Sequence, residues 1–297
     1  MRDFSGDHQW LSINTATVRN SFGAEWPLDR ILDACAARGI RAISPWRDQV
    51  AAAGLNSVAR QLQETGIVLS GYCRGGFYPA IDAAGRRAAL DDTERAIDEA
   101  KLLNAACLVL VVGALPGALS GKPQYTDISR ARSEVRDGIA ASLEYARKVG
   151  IPLAIEPLHP MQAAERACVN TLEQALDLCD ELDPAPAESG GSAALGVAVD
   201  AYHVWWDPKL AQQIARAGVR RLLAWHVCDW LTPTRDLLND RGMMGDGVIE
   251  LPKIRGWMEA AGYAGFSEVE IFSTLDWWQR DGASVLDTCI ERHRSVC

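Results

Sequence analysis

The segment Pro152-Leu-Ala-Ile-Glu-Pro157 is a short apolar run that ends on a carboxylate, and three later segments repeat the pattern. They are Leu195-Gly-Val-Ala-Val-Asp200, Leu222-Leu-Ala-Trp-His226 and Ser267-Glu-Val-Glu-Ile-Phe272, the last carrying Glu270. Runs this short, rich in β-branched and large apolar residues, read as buried parallel strands. In a closed parallel barrel all strand C-termini meet at one rim, where the active site sits. Glu156, Asp200, His226 and Glu270 gathered there make an oxygen-rich site for one divalent cation. That donor set favours Mn²⁺, Mg²⁺ or Co²⁺ over a thiolate-bound structural zinc. Glu268 shares a strand face with Glu270, but Glu270 lies nearer the C-terminal end and is the expected ligand.

Working outward, strand signals fall at 11–16, 41–46, 67–73, 107–113, 152–158, 195–201, 222–228 and 266–272. Helical stretches alternate with them near 27–38, 48–65, 83–103, 127–149, 171–182, 208–217, 250–261 and 277–294. Eight such units predict a single α/β domain over residues 1–297, a (β/α)₈ TIM barrel. A doubly wound open sheet is the alternative, but no GxGxxG follows the first strand. Gly39, Gly66, Gly150 and Gly218 sit just past helices, where a left-handed cap suits glycine. Pro27, Pro208 and Pro252 sit at helix first turns. The low-complexity patch Asp183–Ser192 precedes the sixth strand and is expected on the rim opposite the site, as a mobile insertion.

The balance of 48% hydrophobic and 23% charged residues is that of a soluble globular protein, and no apolar run reaches the roughly 20 residues of a membrane span. The first residues, Met1-Arg-Asp-Phe-Ser-Gly-Asp-His8, lack the apolar core of a signal peptide, so a cytoplasmic location is expected. A net charge of −9 argues against a nucleic-acid partner, because phosphate contacts need a basic face. The eight cysteines have no CxxC spacing and read as reduced, mostly buried thiols.

The set Glu156, Asp200-x-x-His203, His226-x-x-Asp229 and Glu270 resembles the sugar (phosphate) isomerase/epimerase family, whose fold is the xylose isomerase-like TIM barrel. Ketose 3-epimerases, hydroxypyruvate isomerase and inosose dehydratase belong to it. The resemblance implies that Glu156, Asp200, His226 and Glu270 bind the metal and that His203 hydrogen-bonds a substrate oxygen. It implies that Arg235 is a substrate-binding arginine, and it matches Gly245-Asp-Gly-Val-Ile-Glu-Leu251 to the family's turn before the last barrel helix. It also implies a homodimer or homotetramer, with Mn²⁺ the foremost cation and Zn²⁺ a further alternative.

The N-terminal half adds Ser44-Pro-Trp-Arg47 and Tyr72-Cys-Arg-Gly-Gly-Phe77, which place Arg47 and Arg74 at strand ends facing the barrel mouth. Such a pair is either a set of rim salt bridges or a clamp for a carboxylate, a phosphate or several hydroxyls. His159 in Glu156-Pro-Leu-His-Pro160 is either a substrate contact or a turn residue. Among ten tryptophans, Trp46, Trp205, Trp206 and Trp230 end strands, where an indole stacks on the apolar face of a sugar; Trp46 is the expected substrate contact. The long segment Leu231–Val248 reads as a lid or specificity loop.

The expected activity is metal-dependent isomerisation or epimerisation of a sugar, sugar phosphate or keto-polyol through a metal-stabilised enediolate. Glu156 and Glu270, on opposite faces of the substrate, would be its acid/base pair, as the family resemblance implies. A dehydratase or lyase using the same intermediate is the nearest alternative, and a non-catalytic binding subunit is the alternative outside enzymology. An endonuclease-like phosphodiesterase would need more histidines than the five present.

Overall fold

A computed structural model describes residues 2–184 and 193–297. Most of the low-complexity patch, residues 185–192, therefore lies outside the described residues, and with it the expectation of a mobile insertion.

Nine parallel strand segments build one sheet. They are β1 (Leu11–Asn14), β2 (Ala42–Ser44), β3 (Val68–Leu69), β4 (Tyr72–Gly76), β5 (Leu108–Val111), β6 (Leu153–Ile155), β7 (Leu195–Asp200), β8 (Leu222–Val227) and β9 (Ser267–Val269). Their order is β3-β2-β1-β9-β8-β7-β6-β5-β4. The two ends of that order are halves of one strand, split at Ser70-Gly71. The Leu69 carbonyl accepts from the Ala106 N–H at 3.1 Å, and the Pro45 carbonyl accepts from the Cys73 N–H at 3.1 Å. Each half thus bonds to the other half's neighbour, and the barrel closes without a free edge.

Helices α1 (Leu28–Ala37), α2 (Arg47–Ala53), α3 (Leu55–Thr65), α4 (Ala83–Leu102), α5 (Ile128–Val149), α6 (Leu172–Leu182), α7 (Ala201–Val204), α8 (Leu210–Arg221), α9 (Leu251–Ala260) and α10 (Gly282–Val296) follow the strands. Their ends are local chemistry. Asp127 caps α5 by accepting from the Ser129 and Arg130 amides, and Gly150 ends it at φ 80° with its N–H on the Ala146 carbonyl. The predicted helix over 48–65 is instead two helices, because Gly54 (φ 85°, ψ 118°) leaves helical geometry and lets the chain turn. The last predicted helix begins later, at Gly282, after a 3₁₀ turn over Trp277–Gln279.

The main apolar core lies between barrel and helices, with strand residues such as Leu108, Leu110, Leu153 and Val197 packed outward. A second, smaller cluster fills the barrel with Cys73, Cys107, Val109, Ala154, Ala198 and Ala224. These are small side chains, and the space they leave admits a buried polar layer of Ser12, Asn14, Ser70 and Glu268. All cysteines are free, and every one except Cys297 is buried. Among the described residues no helix is long and apolar enough to cross a membrane.

Candidate metal centre

Register assembles the site. His226 on β8 lies beside Asp200 on β7 and beside Glu268 on β9. Glu270 is two residues beyond Glu268, on the same face and one layer nearer the rim. Backbone bonds hold the carboxylates that follow the strands: the Glu156 N–H donates to Leu110 O and the Glu270 N–H to Val227 O, each at 3.1 Å. One donor atom from each of Glu156, Asp200, His226 and Glu270 lies within 4.8 Å of all the others, and all four residues are buried. The four side chains expected to converge do so.

Their chemistry fits a divalent cation. Four carboxylates, counting Glu268, crowd a space where the nearby positive groups are His226 and Arg241. His226 Nδ1 is 2.8 Å from Glu156 Oε1 and 3.7 Å from Glu270 Oε2. Burial opposes protonation of that ring, but the charges of Glu268, Glu156 and Glu270 overcome it and hold its pKa well above the ordinary value. Burial pushes the Glu270 pKa upward, opposed by Arg241 and reinforced by Glu156. Burial works the same way on Asp200, but Arg241, His203 and His226 prevail and hold it low. Carboxylates this crowded, together with an imidazole, suit a hard or borderline dication.

Below the four ligand candidates, Glu268 is tethered by Asn14 Nδ2 at 2.9 Å and Ser70 Oγ at 2.8 Å. Asn14 Nδ2 also reaches Glu270 Oε1 at 3.0 Å. The other nitrogen of His226, Nε2, has no hydrogen-bond partner and lies 3.5 Å from Glu268 Oε1. At the rim, the His159 amide donates to His203 Nδ1 at 3.1 Å, and His203 Nε2 lies 3.1 Å from Arg241 Nη2. Burial keeps that ring neutral, with its pKa lowered to about 3.

A cavity of ≈ 260 Å³ opens above the centre, lined by Glu156, His203 and Glu270 together with Trp46, Arg74 and Arg241. Its aromatic wall is built from Trp46, Phe272 and Trp278; Trp46 Nε1 is fixed by Asn14 Oδ1 at 2.7 Å, and its ring meets Phe272 edge-on at 5.5 Å. The other expected substrate contacts lie elsewhere. Arg47 opens α2, where its guanidinium bonds Asp92 and Glu99 of α4 at 2.8 Å each, outside the cavity lining. Arg235 is tied to Asp240 on the exposed side of its loop. The His159 ring stacks on Trp230 at 4.8 Å, and only its backbone amide reaches the site, through His203.

The arginine of that loop that does enter the centre is Arg241, in place of the expected Arg235. It is 2% exposed, and Nη1 lies 2.9 Å from Asp200 Oδ2 and 3.0 Å from Glu270 Oε2. Its guanidinium also lies 4.5 Å from the Tyr202 ring centroid. One signal was available in the sequence: Arg241 is followed by Gly-Met-Met, an apolar setting that suits a buried arginine, whereas Arg235 has an acidic neighbour at Asp236. Gln162, Arg166 and Asn239 also line the cavity, from loops with no periodic pattern.

A closed parallel barrel with a buried carboxylate–imidazole cluster at its C-terminal rim defines a class, and sequence comparison places the chain within it. The family description "xylose isomerase-like TIM barrel" matches residues 32–289, and the chain belongs to that family. It is 55% identical to the crystal structure of protein SMc04130 from Sinorhizobium meliloti 1021, at TM-score 0.90 over 97% of this chain and 98% of that one. The structure of IolI protein with a bound zinc atom is similar at TM-score 0.75 and 19% identity, over 94% of each chain. The 3-keto-D-glucoside 4-epimerase YcjR of E. coli is similar at TM-score 0.70 and 17% identity, over 94% of this chain and 97% of that one. These last two likenesses are of fold. No curated protein matches the sequence significantly.

Proposed function

We propose that this protein is a divalent-metal-dependent isomerase or epimerase acting on a sugar, sugar phosphate or keto-polyol. The observation that carries the reading is the convergence of Glu156, Asp200, His226 and Glu270 beneath a small cavity. Membership of the xylose isomerase-like family supports it, as do a fold relative described as an epimerase of a keto-glucoside and another described with zinc.

A bound cation, Mn²⁺ foremost and Mg²⁺, Co²⁺ or Zn²⁺ as alternatives, would act as a Lewis acid on a substrate carbonyl. The chain's own groups supply the proton chemistry. Glu156 and Glu270 both face the cavity, and with one oxygen of each serving as a ligand the other would be the site of proton transfer. Without the cation, burial raises the pKa of Glu270 above the ordinary carboxylate range. His203 and Arg241 both line the cavity, with His203 Nε2 3.1 Å from Arg241 Nη2, and a substrate oxygen entering there would meet this pair. Trp46, Phe272 and Trp278 would cover the apolar face of the substrate and exclude water from the exchanging proton.

The test is deuterium exchange. Mn²⁺-loaded protein incubated in D₂O with neutral ketoses, ketose phosphates and keto-acids should place deuterium on carbon beside the carbonyl with the skeleton intact. Glu156→Gln and Glu270→Gln should each slow this by about 10²–10⁴-fold. Loss of water from the substrate would assign the dehydratase reading instead. No exchange and no water loss with any substrate, in protein shown to hold the metal, would reject the proposal.

A further inference from the structure

Two guanidinium groups in the cavity wall have no carboxylate partner. Of the arginines lining it, Arg19 pairs with Asp48, and Arg241 pairs with Asp200 and Glu270. Arg74 and Arg166 pair with no acidic group among the described residues. Carboxylates are not scarce in this chain, since 39 acidic residues face 30 basic ones. Two guanidiniums without a salt-bridge partner in one concave wall are therefore a feature of this site and not a shortage of carboxylates, with Glu165 and Asp236 acting on Arg166 only from beyond salt-bridge distance.

Local backbone geometry sets both. The register between β4 and β5 shifts between Cys73 and Gly75, so Arg74 is the extra residue of a β-bulge. Tyr72, before the bulge, points outward and bonds Glu99 of α4. Gly75, after it, takes the next outward position, where an added Cβ would meet Thr93 of α4 at 3.2 Å. Arg74 is thereby released from the alternation and turned to the cavity, with its guanidinium 4.1 Å from the Phe77 ring centroid. Arg166 stands in a tight turn, where the Gln162 carbonyl accepts from the amides of Glu165, Arg166 and Ala167 at 3.1, 3.0 and 3.3 Å. Burial, and then the charge of Arg166, lower the Arg74 pKa, and both residues line the one cavity. Both remain cations.

A third group points the same way. Gln162 lines the cavity, is only 6% exposed, and its Oε1 has no hydrogen-bond partner. A buried acceptor left unmatched is costly unless a ligand donates to it.

We infer that the substrate carries an anionic group, a carboxylate or a phosphate, held by Arg74 and Arg166, with a neighbouring hydroxyl donating to Gln162. The inference rests on the proposed function only for the chemistry at the other end of the substrate. It separates this site from one built for a neutral ketose, because two guanidiniums lining one cavity gain little from hydroxyls and much from an anion.

The test compares fructose, fructose 6-phosphate and fructuronate by titration calorimetry on both metal-free and Mn²⁺-loaded protein. At least one anionic sugar should bind about 10–100-fold tighter than fructose. The better of the two identifies phosphate or carboxylate. The double variant Arg74→Gln/Arg166→Gln should lose most of that margin and leave fructose affinity within about threefold. Arg74→Lys, which keeps the charge, should retain part of it. A thermal melt of each variant establishes that it is folded. Absence of any preference for the anionic sugars, or an equal loss for fructose in the double variant, overturns the inference. The metal-free arm makes the two failures distinguishable. Failed deuterium exchange leaves an anion preference standing, and a failed anion preference leaves exchange on neutral ketoses standing.

Discussion

His226 meets the candidate metal centre with Nδ1 and the barrel interior with Nε2. The second nitrogen has no closer partner than Glu268, itself held by Asn14 and Ser70. A carboxylate behind a ligating imidazole fixes its tautomer and orientation. Glu268→Gln should therefore weaken metal binding by about 10–100-fold while leaving the fold nearly unchanged. Competition against a chelating dye reads this directly, and unaltered affinity would leave Glu268 as packing alone. A second histidine makes a pH prediction. His293 is fully buried, stacked on Phe4 at 4.5 Å, with both ring nitrogens unpartnered. Burial first, then Arg255, lower its pKa to about 3. A base whose folded pKa lies below its unfolded value of about 6.5 gives stability that is complete above the unfolded value and is lost as pH falls towards the folded one. The loss should approach about 1.4 kcal/mol per pH unit. Urea unfolding at pH 7.5 and pH 5 should show it in the wild type, with a smaller difference in His293→Phe. Identical differences in the two proteins would assign the acid sensitivity to other groups.

At the scale of elements, the loop after β8 carries Arg241 into the site, and Asp229 fastens that loop. The Asp229 carboxylate, 1% exposed, accepts from the amides of Trp230, Gly245 and Ile249 at 2.9 Å each. Gly247 must be glycine for the same closure, since a Cβ would stand 2.2 Å from Trp230 O and 2.6 Å from Asp229 Oδ1. Asp229→Ala would leave those amides without their acceptor, at a cost of about 1–3 kcal/mol for each that stays buried. Expected outcomes are a lower unfolding midpoint and faster proteolytic cleavage within residues 231–248. Wild-type cleavage rates would show that the loop is held by other contacts.

For the whole molecule, the carboxylate cluster sets a balance between fold and metal. Four buried acidic groups repel one another in the cation's absence, and a ligand that binds only the folded state stabilises it by mass action. Mn²⁺ at about 100 times its dissociation constant should add about 2.7 kcal/mol, seen as a rise in Tm that EDTA reverses. Asp200→Asn should diminish that rise. A Tm indifferent to Mn²⁺ in the wild type would mean that the cluster does not take the ion.

Much of this protein is legible in its amino-acid sequence. Short apolar runs ending on Glu156, Asp200, His226 and Glu270 are local patterns, and a parallel barrel has one rim for strand ends, so local pattern suffices to bring them together. Gly150 and Asp127 mark their helix ends because caps are chosen by neighbouring residues. What the chain's order alone leaves open is direction. The sequence pattern sets Arg47 and Arg74 alike at strand ends, yet Arg47 opens α2 and turns to Asp92 and Glu99 while a one-residue bulge within β4 sends Arg74 into the cavity. Arg241 and Arg235 share one loop, and burial against Tyr202 and the carboxylates distinguishes them. Side-chain direction at a rim depends on register shifts and on partners supplied by distant segments, so only the tertiary structure decides it.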